Sequence, residues 1–219
     1  EIVAHAVLMK HEIAFAAKFF TTGLWTGNTE QTGVAGAPGA NQFTQFDNGA
    51  SSDPIKTIQD QVRVIDVNGG FKPNTLIVGP DVDRAIKRHP AILNRISVTG
   101  NARGLRQVTN ELLAALFEVD RYIVPGAKKV TSAVGVAEAS ATFDYVFGKS
   151  FLLAYMGPTT DQAGISASAA RIFAWTGANA GLPGTTTQVP IEIIPRPETH
   201  DEKIEGGINW GHEITGQKF

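Results

Sequence analysis

Three short stretches of this 219-residue chain carry residue types that chemistry uses. Gly148-Lys149-Ser150 ends like a phosphate-binding loop, in which backbone amides wrap a phosphate while the lysine and the hydroxyl reach its oxygens and metal. Such a loop needs a glycine five residues before Gly148. Phe143 stands there, and the residues after Ser150 alternate like a strand instead of opening a helix. "HEIAF" at 11–15 begins like a zinc-protease helix, whose two histidines four residues apart share one face. Position 15 is Phe, and His5 and His11 are six apart, off any common ligand face. Asp81 and Asp83 diverge on a helix and suit first-turn acids that face its positive end. No serine stands in a nucleophile elbow. No catalytic, cofactor-binding or metal-ligating residue is nominated, and neither an enzyme activity nor a cofactor is expected.

The other histidines, His89, His200 and His212, are scattered. His89 precedes a proline at a helix end, where a partly charged imidazole would suit the negative end of the helix dipole. One charge feature remains. Arg84, Lys87, Arg88, Arg95, Arg103 and Arg106 follow one another with no acid between them. This run is either a solvated face or a patch for an acidic neighbour or packaged nucleic acid, held through nonspecific phosphate contacts. With 19 basic and 21 acidic side chains the formal charge is −2, which gives no global pull toward nucleic acid. The absence of cysteine excludes disulfides, thiolate metal sites and cysteine nucleophiles.

The elements that would position these groups are easier to read. Residues 1–22 are largely apolar, but Lys10, His11 and Glu12 at the centre make a membrane span costly, so a soluble helix is expected. It opens without a cap, as the later part of a longer helix would, and stops near Gly23. Ile2, Val3, Val7, Leu8, Ile13, Phe15, Phe19 and Phe20 surround it, so it needs cover on several sides, from other segments or other subunits. Residues 26–52 are rich in Gly, Ala, Asn and Gln. They read as a flexible loop, or as an arm that orders only against a neighbour with Phe43 and Phe46 as anchors.

Asp53-Pro54 then caps and opens a helix with Ile55, Ile58, Val62 and Ile65 on one face, ended by Asn68-Gly69-Gly70. Pro73-Asn74 turns into "TLIVG", a strand covered on both faces. Gly79-Pro80-Asp81 opens a helix that His89-Pro90 stops. Thr109 caps a helix whose Leu112, Leu113, Leu116 and Phe117 face inward. "RYIVPGAKKV" reads as a strand broken at Pro125, and Phe143–Phe147 with Phe151–Tyr155 as a β-hairpin around Gly148. "ARIFAW" and "QVPIEII" add strands, and 201–219 is extended. The fold class is α+β, without internal repeats.

The order and wording of "HEIAFAAKFF", "SDPIKTIQDQ", "GFKPNTLIVGPDVDRAIKRHPAILNRI" and "ELLAALFEVDRYIVPGAKKV" resembles the major capsid proteins of tailed bacteriophages. The resemblance is clear over residues 7–135 and weaker through "DYVFGKSFLLAYM" to the end. It implies the Hong Kong 97-like capsid fold, with a long spine helix, a peripheral domain and an axial domain of mixed sheet and flanking helices. Residues 1–52 would be a peripheral-domain part, 53–185 mainly axial domain, and 186–219 C-terminal strands returning between them. The family's N-terminal arm and extended loop have no counterpart here.

By that resemblance the chain is a virion subunit. It would assemble in the host bacterial cytoplasm, with copies of itself as hexamers and pentamers of an icosahedral shell. Scaffold, portal and decoration proteins are further partners, and the six basic residues above could touch packaged DNA; no membrane is involved. An encapsulin-type nanocompartment shell shares the fold. A ligand-binding module or enzyme with 26–52 as a lid is a different class, for which that segment offers Glu30 and Asp47.

Overall fold

The computed structural model of the protein describes residues 2–25, 29–98, 108–133, 135–157, 167–174, 191–196, 198, 201–206 and 210–217. In chain order its elements begin with α1 (Ile2–Phe19), β1 (Thr32–Val34), β2 (Gln42–Thr44), α2 (Pro54–Gly69) and β3 (Thr75–Val78). There follow α3 (Pro80–Arg88), α4 (Pro90–Val98), α5 (Asn110–Leu116), β4 (Arg121–Ile123), β5 (Lys128–Val130) and β6 (Phe143–Tyr145). The chain continues through β7 (Phe151–Ala154), β8 (Ala170–Ala174), β9 (Ile191–Arg196), β10 (Asp201–Gly206) and β11 (Trp210–Ile214). The class is α+β, as the alternation of periodicities predicts.

The core forms around β3. Its four residues are all buried, as an uninterrupted apolar run requires. It pairs in parallel with β4 and antiparallel with β7, giving a mixed sheet of order β4-β3-β7. A parallel pair needs a crossover, and α3, α4 and α5 supply it. Ile58, Val62 and Ile65 of α2, Ile86 of α3, Ile92 of α4, and Leu113 and Phe117 at α5 join Leu76 and Val78 in one apolar cluster.

Local chemistry sets the boundaries. The Asp53 carboxylate accepts from the Ile55 and Lys56 amides, both at 3.1 Å, and Gly70 ends α2 in the left-handed region at φ 74°. Asn74 ties the sheet ends together. Its side chain donates to the Met156 carbonyl and accepts from the Met156 amide, both at 2.9 Å, while its carbonyl accepts from Asp120 and Arg121. Gly79 is required by space, because its φ of −62° suits any residue but an added Cβ would lie 2.1 Å from the Gly148 carbonyl oxygen. The smaller sheets are β5-β6, β8-β11 and β9-β10, all antiparallel, and the parallel pair β1-β2.

Four expectations are corrected. Phe143–Phe147 and Phe151–Tyr155 do not form a hairpin: β6 pairs with β5 and β7 with β3, so Gly148-Lys149-Ser150 is a turn between two sheets. The turn is held to the core by the Gly79 amide, which donates to the Ser150 carbonyl at 2.8 Å. Pro90 stops α3 but also starts α4, where its missing N–H is no loss. Leu112 is exposed, and Ala114 takes the inward place. Residues 29–52 dock on their own chain: Phe46 is buried, and its ring stacks on Phe151 at 5.8 Å.

Candidate assembly surface

One constellation imitates a hydrolase site. Ser52 Oγ lies 3.0 Å from His89 Nε2, beside Asp53. The hydrogen-bond directions rule out nucleophile activation. His89 Nδ1 accepts from the Ala91 amide at 3.1 Å, so the neutral ring carries its proton on Nε2 and donates it to Ser52. Ser52 in turn donates to the Asn48 carbonyl at 2.6 Å. His89 is thus the N-cap of α4 and a tie to the 48–52 turn, where a partly charged ring at the end of α3 was expected. It is buried, and burial pushes its pKa below the ordinary histidine value against the opposing pull of Asp53.

Asp81 and Asp83 separate, as expected. Asp83 accepts from the Tyr122 hydroxyl and from Lys87 Nζ, both at 2.9 Å, and Lys87 also reaches Asn110 Oδ1 at 2.9 Å. Burial, and then the Asp83 charge, push the Tyr122 pKa far above its usual range. This is a structural network joining α3, α5 and β4. Asp81 lies 3.9 Å from Arg84. The basic run is therefore partly neutralised by acids just before it. Arg88 and Arg95 are exposed, and Arg103 and Arg106 lie outside the described residues, as does His200.

A cavity of about 960 Å³ lies beside the 29–47 segment, with Phe19, Trp25, Phe43, Gln61 and Phe151 among its walls. Glu30, one of two acids a lid could offer, is engaged: its carboxylate accepts from the Gly23 amide at 2.6 Å and from Leu24 at 3.1 Å. Those backbone bonds, Gly23 first, hold its pKa below the usual carboxylate value. Asp47 lies on the wall. Among the described residues no group of three His, Cys, Asp or Glu could hold a metal ion.

What the surface does offer is apolar area. Ile2, Leu8 and Ile13 of α1 are 87%, 48% and 39% exposed, so the expected all-round cover is supplied by this chain on one side alone, chiefly at Ala16 and Phe19. Two cross-strand pairs are also open: Val130 opposite Phe143, and Ile193 opposite Ile204. Such ribbons of two strands are marginal on their own, and exposed apolar patches of this kind are the mark of contact surfaces. The sequence showed the excess on α1 through its lack of a polar face. The strand pairs were not foreseen, because the hairpin reading gave Phe143 a different partner.

No helix among the described residues is long and apolar enough to cross a membrane. No family model matches the chain. Over 107 residues it is 30% identical to the major capsid protein of Burkholderia phage BcepMu, a stretch covering 49% of this chain and 31% of that protein. It thus spans about a third of the length of the curated relative it matches. In three dimensions it is similar to a phage-related protein from Bordetella bronchiseptica RB50, with a TM-score of 0.74 and 18% sequence identity. That likeness covers 98% of this chain and 62% of the other, so nearly the whole chain shares its fold with a phage-related protein.

Proposed function

We propose that this chain comes from a head-shell subunit of a tailed phage, a major capsid protein of the Hong Kong 97-like fold. The observation that carries the reading is the 107-residue likeness to a major capsid protein. The apolar flank of α1, left open by its own chain, supports it. In this reading residues 1–52 form a peripheral part built on the end of a spine helix. Residues 53–185 are mainly the axial part, and 186–219 return between them. Copies associate through heterologous contacts that close into rings, and rings into an icosahedral shell. The subunit works by shape and edges, without turnover, and its place is the virion, after assembly in the bacterial cytoplasm. Scaffold, portal and decoration proteins complete the particle, and the basic run Arg84, Lys87, Arg88, Arg95, Arg103 and Arg106, of which Arg84, Arg88 and Arg95 are exposed, is a patch for packaged DNA.

Negative-stain electron microscopy of the protein as its gene encodes it, alone and with a neighbouring scaffold or protease, tests this. Closed shells or ring-shaped capsomers are expected. Nuclease-protected nucleic acid inside them would mark a phage head, and an enzyme cargo a nanocompartment. Dispersed monomers at high concentration would overturn the proposal.

A further inference from the structure

His11 and His212 are far apart in sequence, yet their rings lie 4.9 Å apart. The fold brings them together deliberately. His11, Phe15 and Phe19 stand four residues apart on one face of α1, and all three rings approach His212, Phe15 at 6.1 Å and Phe19 at 5.9 Å. On β11, Trp210 and His212 are two residues apart and share a strand face. Together they bracket His11, with Trp210 meeting it edge-on at 4.8 Å. His212 is buried, and its Nε2 has no hydrogen-bond partner.

We propose that this histidine pair is an acid-sensitive latch, which holds the β8–β11 ribbon against α1 and releases it on protonation. A neutral pair packs as two more aromatic rings. A proton on His212 places a charge among Phe15, Phe19 and Trp210, beside a second imidazole. The charged groups around it give little relief. Lys18 of α1 adds positive charge, and Glu213, the next residue of β11, is engaged with Lys18 at 3.6 Å and stands opposite Arg171 of β8. β10, which also packs on α1, carries three acids, Asp201, Glu202 and Glu205, and one base, Lys203, and none of these is among the groups that shift His212. Burial first, then His11 and Lys18, hold the His212 pKa below its ordinary value of 6.5. Protons therefore bind the released state more tightly, and the latch is secure above pH 6.5 and weakens as pH falls below it. The two strands stay together through their own five-residue pairing, and the Ala169 amide, which donates to the Tyr155 carbonyl at 2.9 Å, keeps the base of the ribbon tied to the end of β7, so release swings the ribbon as a unit about that tie.

Hydrogen exchange on the full-length protein between pH 8 and pH 5 tests the latch, read as protection factors so that the intrinsic pH dependence of exchange drops out. Protection of the β8 and β11 amides is expected to fall below pH about 6.5, by up to about tenfold per pH unit for one proton, and further than that of α2, which follows global stability alone. In His212→Phe, which keeps a ring and loses the proton, ribbon protection should fall no further than that of α2. His11→Gln, at a half-exposed position, should fold normally and show a shallower fall. A ribbon fall no larger than that of α2 in the unaltered protein would overturn the proposal, as would either variant following the unaltered curve.

Discussion

Gly79 and His89 show how single residues hold this molecule in shape. Replacing Gly79 by Ala drives a methyl into the Gly148 carbonyl, a backbone atom that cannot step aside without moving the turn. Overpacking of this kind costs about 3 kcal/mol at the upper end of its usual range, so G79A should unfold at markedly lower denaturant, or fail to fold. His89 acts through its neutral form. The fold lowers its pKa, so protons bind the unfolded chain preferentially; the cap's contribution is complete above pH 6.5 and is lost as pH falls through the lowered value. In His89→Asn, whose amide can still accept from Ala91, that share of the acid sensitivity should vanish from a pH series of unfolding curves.

The motif around these residues was legible as punctuation. Asp53, Pro73-Asn74, Gly79 and His89-Pro90 each mark a boundary that the structure keeps. What each side chain bonds to was not, because the partners, Met156 for Asn74 and Ser52 for His89, are 82 and 37 residues away. The histidine pair was hidden for the same reason. Only the packing of β11 on α1 brings His11 to His212.

At the scale of elements, α2 and β3 were readable because one clear face or one uninterrupted apolar run admits few arrangements. The strand pairing of β6 and β7 was not. Two alternating runs around a glycine satisfy the hairpin pattern, and the competing partners β5 and β3 win through long-range packing. For residues 26–52 composition left a flexible loop or an arm anchored by Phe43 and Phe46 on a neighbour; the anchors are those two rings, but they dock the described part, 29–52, on its own chain. Phe46 packs with Phe43 at 5.0 Å and Phe151 at 5.8 Å. Phe46→Ala should therefore lose roughly 3–4 kcal/mol, in the range for buried Phe→Ala, with the earliest loss of exchange protection in 29–52. An unchanged midpoint would mean that the segment does not belong to the core.

For the whole molecule, the question is what covers the outside of α1. Ile2, Leu8 and Ile13 add little to the stability of the single chain, because exposed positions usually change it by no more than about 0.5 kcal/mol each. Replacing all three by Ser should leave thermal unfolding of the dispersed subunit almost unchanged, yet abolish large assemblies in sedimentation. Equal assembly by the triple variant would remove α1 from the contact surface. The most direct measurement is a cryo-electron microscopy reconstruction of particles formed by the full-length protein. A shell subunit predicts the β4-β3-β7 core repeated in every subunit, with the open flank of α1 lying against a neighbour. Particles in which that flank faces solvent, or no particles at all, would contradict it.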